Sequence, residues 1–314
     1  MNQLKIAIAI LFLITSVCMV AQPSKNNVFE GIHYIVKKIK EYDIIAIGET
    51  HDKVEVTDFY IKLINNKEFR KQIDVIVIEM GNNLHQQILD DYISGKNVYK
   101  KNLYKLWRDH TSCMLNDSDN TGLIRLLKEI RRINSVYQSK IRVIAADPPI
   151  DWKKVNCLKE FYSFLGNRDK HYFEVIKSEV IDKKMKGLLI MGNNHFNKQK
   201  SKYMIEKNLD NPITSILKND KNKLYLVNIL SASSFSYNKL SGLEKESIIT
   251  TKDKWLGPLK VTAPFIKEYS LNEQTDAILY LGSKKDFTKE KVTPFNDSEY
   301  SKELTRRSNL KKCK

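Results

Sequence analysis

The sequence predicts a single α/β domain with a mostly parallel central sheet and helices on both faces. Two observations carry this reading. Six strongly apolar runs recur, at 44–47, 75–78, 141–146 (with Arg142 inside), 188–191, 224–230 and 277–281. Continuous, largely β-branched runs of this length suit strands buried on both faces, the habit of parallel sheets. Between them apolar residues fall at helical spacing, and strands alternating with helices build a parallel sheet covered on both sides. The chain has 314 residues, 42% hydrophobic and 10% aromatic, so it can bury a full core and is not a solvated coil.

Taken in order, Val28, Ile32, Ile35 and Ile39 recur at steps of four and three, which puts them on one helix face before the first strand. Leu84, Ile88 and Tyr92 repeat the pattern after the second strand, and Leu123, Leu127 and Ile130 before the third. The stretch 231–273 carries no clear period and reads as an insertion before the last strand. The end holds Lys302, Arg306, Arg307, Lys311, Lys312 and Lys314 with little that can pack, which predicts a frayed basic tail. The expected organisation is a leader at 1–21, the α/β domain at 27–290 and the tail at 291–314.

Lys5, the apolar run 6–14 and the sequence Ala21-Gln22-Pro23 read as a charged start, a short hydrophobic region and a cleavage site. The run is too short to span a bilayer, so export with cleavage after Ala21 is expected. Three cysteines lie beyond it, Cys113, Cys157 and Cys313, without zinc-finger spacing; one disulfide is the most they can form, and which pair forms it stays open. Lys+Arg 53 against Asp+Glu 37 leaves a net charge of +16, of which the leader removes a single lysine. That surplus favours an anionic envelope surface and names no chemistry. Nucleic acid is not expected as a partner of an exported chain whose basic residues lack interleaved aromatics.

In a parallel sheet the ligand crevice lies beyond the carboxyl ends of the strands, where the connecting loops converge. The first strand ends in Gly48-Glu49-Thr50-His51-Asp52, the second in Glu79-Met80-Gly81-Asn82, the third in Asp147-Pro148-Pro149 and the fourth in Gly192-Asn193-Asn194-His195. Glu49 and His51 stand two apart, hence on one side of an extended backbone. Glu49, His51, Glu79, Asp147 and His195 are therefore the candidate catalytic residues. A carboxylate such as Glu79, set against an apolar strand, needs a partner; Asp147 has the competing role of capping the following turn. His33, His85, His110 and His171 read as surface or boundary residues. No nucleophile elbow, His-Glu-x-x-His, phosphate loop or dinucleotide fingerprint is present, which disfavours the usual serine hydrolases, zincins, P-loop enzymes and dinucleotide binders.

The segments 47–52 and 78–81, with Gln86 or Gln87, then Leu89-Asp90-Asp91-Tyr92 and Gly95, resemble the superfamily that joins erythromycin esterase-like proteins, ChaN-like haem-binding proteins and TIKI/TraB-type proteases. Gly192-Asn193-Asn194-His195 is similar to its later glycine-to-histidine motif. The resemblance covers 43–195. More narrowly, Trp107-Arg108-Asp109, Arg131-Arg132-Ile133-Asn134 and the segment 146–152 look like an exported bacterial branch. Asp147-Pro148 stands where the haem-binding branch carries an asparagine-like residue, and no additional histidine cluster reinforces a protease-type metal site.

Two functions fit these residues. The first is hydrolysis of an ester or amide bond in a small-molecule or peptide substrate. His51 activates water, Glu49 or Glu79 supports its imidazolium, His195 faces the carbonyl, and Arg132 clamps a substrate carboxylate. A divalent metal held by His51, Glu79 and His195 would serve the same reaction. The second is binding of haem or an iron chelate without turnover, with His51, His85, Tyr92 and Tyr104 as candidate ligands.

Overall fold

The computed structural model describes residues 27–112, 118–119, 121–200, 202–219, 224–229, 240, 242–261, 269–291, 293–294 and 297–313. The leader, Cys113 and Leu230 lie outside them. The core is an eight-stranded sheet of β1 (Val28–Glu30), β2 (Ile44–Glu49), β3 (Val75–Asn82), β4 (Arg142–Asp147), β5 (Gly187–Gly192), β6 (Leu224–Ile229), β7 (Ser247–Thr250) and β8 (Ala277–Tyr280). Their spatial order is β1-β7-β8-β6-β2-β5-β3-β4. All six apolar runs are strands, and they pair in parallel with one another. Only β7 runs against the rest, pairing antiparallel with β8 and β1.

Successive strand residues serve opposite faces, as the two-residue repeat of a pleated sheet requires. Ile45 and Ile47 pack with Ile76, Ile78, Leu188 and Ile190 in one core, while Ile44, Ala46, Val75, Val77, Leu189 and Met191 belong to the other. The first face is covered by α1 (Gly31–Glu41), α2 (Val54–Asn65), α3 (Gln86–Ile93), α4 (Lys100–Arg108) and α5 (Thr121–Tyr137). The second is covered by α7 (Arg168–Ile176), which follows α6 (Leu158–Leu165), and by α8 (Pro212–Asn219). The single α/β fold with helices on both faces is thus what the sequence predicts.

Three details depart from expectation. Val28 belongs to β1, and the helix starts only at Gly31, capped by the Glu30 carboxylate on the N–H groups of Ile32 and His33. The stretch read as an insertion contributes β7, whose Ile248 and Ile249 are fully buried. The end is not frayed: Ser298–Ser308 forms α9, Asp297 caps it, and Arg307 is buried. A Cys157–Cys313 disulfide ties the residues after α9 to the start of α6.

Candidate functional site

β2, β3 and β5 lie side by side at the centre of the sheet, so their carboxyl ends open into one crevice. Glu49 is in register with Gly192 across the β2–β5 pair. Beyond Ile78, β3 shifts register against β4, a bulge that re-aims Glu79 from the ladder toward its neighbours. After β2 the chain turns at Asp52, whose φ of +59° is a left-handed conformation that Asp tolerates, and this turn lifts His51 to the mouth of the crevice.

His51 Nδ1 lies 2.8 Å from Glu49 Oε1, and its Nε2 stands 3.6 Å from Glu79 Oε2. Glu79 is buried and fully engaged. Its Oε2 accepts the Gly192 N–H at 2.6 Å, and its Oε1 accepts from Arg168 at 2.9 Å and lies 3.3 Å from His195 Nε2. His195 Nδ1 in turn lies 2.5 Å from Asp169 Oδ1. Two histidine–carboxylate pairs therefore flank one central glutamate. Asp147 joins through Arg168, whose Nε is 3.3 Å from Asp147 Oδ1. Its carboxylate also accepts from the Thr111 N–H at 2.5 Å and the Thr111 hydroxyl at 2.7 Å, so it anchors the site from below and caps no following turn.

Burial would lower the His51 pKa, but the hydrogen bond with Glu49 and the charges of Glu49, Glu79 and Asp52 outweigh it and hold the ring at about 9. His195 behaves alike: burial opposes its charge, while Asp169 and Glu79 raise it to about 9. Burial pushes Glu79 up, yet His195, His51 and Arg168 together drive it far below the carboxylate range. Asp147 is raised by burial to about 6 in spite of Arg168 and Thr111. Glu79 is thus a fixed anion and a poor base; His51, with 39% of its side chain exposed, is the base that solvent can reach.

The structure gathers Glu49, His51, Glu79 and His195, with Asp147 one side chain away. Tyr92 and Arg132 are corrections. Tyr92 ends α3, under the Arg131 guanidinium at 4.8 Å from its ring, and Arg132 bonds Asn65 and Glu129 on the helix surface. Neither lines the pocket beside His51, and neither do His85 or Tyr104. His85 faces Asp109 at 3.3 Å, and Tyr104 stacks beneath Arg108. Of the four candidate haem ligands, His51 is the one that lines this pocket. Residues Asn193–His195 form a single 3-10 turn after β5.

Sequence reasoning passed over Arg168, Asp169, Tyr172 and His110. The signal was there for the first three: Tyr172, Val175 and Ile176 are the buried stripe of α7, and Arg168 falls one turn earlier on that stripe. His110 is no boundary residue. It is buried, and burial followed by the Arg168 charge lowers it to about 3, so it is neutral.

A divalent ion would need free lone pairs from His51, Glu79 and His195 at one point. Both Glu79 oxygens are already engaged, and the Arg168 guanidinium adjoins them. Among the described residues no group of three or more His, Cys, Asp and Glu is arranged to hold a metal ion. These residues do not fit one.

Gly48 is fixed by close approach. A methyl there would come within 2.2 Å of Asn193 Oδ1 and 2.7 Å of Asn228 Oδ1. Both amides are held from behind, Asn193 donating to Ile229 O at 2.6 Å and Asn228 to Phe196 O at 3.1 Å. Gly48→Ala is expected to displace the turn that carries His195 and to lose about 1–3 kcal/mol, the usual range for overpacking. The urea midpoint reports it; a wild-type midpoint would mean that the amides swing aside freely.

Fold and site together define an α/β protein with a carboxylate–histidine–arginine cluster at the ends of its central parallel strands. Solved structures share the fold. A succinoglycan biosynthesis protein superposes with a TM-score of 0.59 at 12% identity, over 87% of this chain and 93% of that one. An erythromycin esterase variant in its open conformation gives 0.54 at 10% identity, over 82% and 94%. A Bacillus cereus protein gives 0.51 at 14% identity, over 84% and 92%. At 10–14% identity these likenesses show the fold. No family model matches the chain, and no curated protein does either.

Proposed function

We propose that this chain is an exported hydrolase that cleaves an ester or amide bond, with His51 as the general base. The observation that carries the reading is the Glu49–His51 pair at 2.8 Å, which holds a half-exposed imidazole in the lining of the pocket. Glu49 accepts a hydrogen bond from Nδ1–H, fixes the tautomer and stabilises the imidazolium that forms when Nε2 accepts a proton from water. Glu79 lies beyond Nε2 as a fixed anion that favours the same imidazolium. Arg168, His195 and Asp169 hold that anion in place. Two further features support the proposal: one neighbour in fold is an erythromycin esterase, and the Cys157–Cys313 disulfide suits the oxidising compartment that the leader predicts. The partner is a small-molecule or peptide substrate, met at an anionic envelope with which the positive surplus agrees.

A base whose pKa stands at about 9 is mostly protonated at neutral pH. The active fraction is its deprotonated form, so kcat/KM is expected to rise roughly tenfold per pH unit from 6 to 8 and to level near 9. In Glu49→Gln the raising charge is gone and the plateau moves toward the ordinary histidine range near 6.5. The test is an ester and amide panel followed across pH with the uncatalysed rate subtracted. A rate that falls above pH 7 in the wild type would rule out His51 as the base.

A further inference from the structure

The pocket beside His51 also limits what it can accept. It lies between the sheet and the starts of α2 and α5, and its apolar wall is made by Val56, Tyr60, Ile78, Leu123, Leu126 and Ile190. All six are buried members of the main core, so the wall is rigid. Glu49, Thr50, Asp52 and Lys53 contribute to its polar side. The space in it that water can occupy is about 40 Å³. One water needs about 10–15 Å³ by that measure, so the slot holds roughly three non-hydrogen atoms.

We propose that the slot is an acyl pocket for a two- or three-carbon chain, so that the substrates are acetyl or propionyl esters or amides. This rests on the hydrolase reading and names its substrate class. The acyl chain sits against Val56 and Leu126, which brings its carbonyl carbon beside Nε2 of His51. Water loses a proton to Nε2 and forms the new C–O bond; the bond to the leaving oxygen or nitrogen then breaks, and that atom takes the proton back from the imidazolium. The products are the short carboxylic acid and an alcohol or amine. Longer chains would have to displace core side chains, which overpacking opposes.

The test measures kcat/KM for nitrophenyl esters from acetyl to octanoyl with the full chain. Acetyl and propionyl esters are expected to lead, with at least a tenfold fall by hexanoyl. Val56→Ala and Leu126→Ala, two substitutions on different helices, should move the optimum to longer chains by one or two carbons, with melting curves confirming that each variant folds. A flat profile, or one that rises to octanoyl in wild type and variants alike, would overturn the pocket proposal. Saturation-transfer NMR with propionate and octanoate reads the slot without turnover: preferential contact to propionate supports it and preference for octanoate overturns it. A chain that cleaves no ester or amide yet prefers propionate would fail the hydrolase reading and keep the pocket.

Discussion

His51→Ala is expected to lower kcat/KM for ester or amide hydrolysis by about a thousandfold, within the range that a positioned base contributes. That loss corresponds to about 4 kcal/mol of transition-state stabilisation. Geometry sets the expectation. His51 lines the pocket, and Glu49 holds its Nδ1 at 2.8 Å, whereas His195 Nε2 faces Glu79 at 3.3 Å from behind. His195→Ala should therefore cost less, roughly tenfold, by loosening Glu79 and leaving the base in place. The half-exposed His51 carries little packing, but Glu49 and Glu79 stabilise its charge, so the melting temperature of His51→Ala should fall below that of the wild type near pH 6 and approach it above pH 9. The decisive comparison is the ratio of the two losses at pH 9, where wild-type His51 is half deprotonated. Equal losses would assign the base role to the pair as a unit, and an active His51→Ala would remove the proposed mechanism.

The central strands were legible because a strand covered on both faces must be apolar at nearly every position, and the chain shows six such runs. The edge was not. β1 and β7 are three and four residues long, and the coincidence of Val28 with the spacing of Ile32, Ile35 and Ile39 drew it into the helix. Gly31, packed against the Glu246 carbonyl, marks where strand gives way to helix.

The site divides the same way. Glu49 and His51 could be read together because extended backbone repeats every two residues, and Glu79 and His195 because a polar residue closing an apolar strand must lie at the crevice. Arg132 and Tyr92 failed on helix direction. A helix that follows a parallel strand runs back toward its amino end. Gly122, Leu123 and Leu126 of α5 line the pocket; Arg132 is ten residues beyond Gly122, about 15 Å along the axis. Tyr92 is likewise separated from Gln86, where α3 begins. Arg168 and Asp169 open α7 in a run of charged residues, Arg168-Asp169-Lys170-His171. Such a run reads as solvated unless the buried stripe beyond it is traced back one turn.

Removing the disulfide is expected to have a large effect on stability. The Cys157–Cys313 bond closes a loop of 156 residues, so its loss in Cys157→Ser with Cys313→Ser should destabilise the fold by about 3–5 kcal/mol through the entropy regained by the unfolded chain. The end of the chain also makes contacts that a free tail would not. Arg307 lies 2.6 Å from Asp109 Oδ1 and donates to Arg108 O at 2.7 Å, and Tyr300 donates to the same carbonyl at 2.6 Å. Trp152 Nε1 and Asn82 Nδ2 each donate to Asp109 O at 2.9 Å. Two residues on, Thr111 holds Asp147 and so Arg168 and Glu79. α9 is therefore a clasp on the segment that supports the site, and its loosening should lower kcat as well as stability. Arg307→Met removes the pairs with Asp109 and Glu303 together with the bond to Arg108 O, and stability should fall by up to about 3–5 kcal/mol, as for a broken buried pair. Urea unfolding of the oxidised chain, the reduced chain and both variants separates the contributions. A reduced chain with the midpoint and kcat of the oxidised one would show that the disulfide contributes nothing to either.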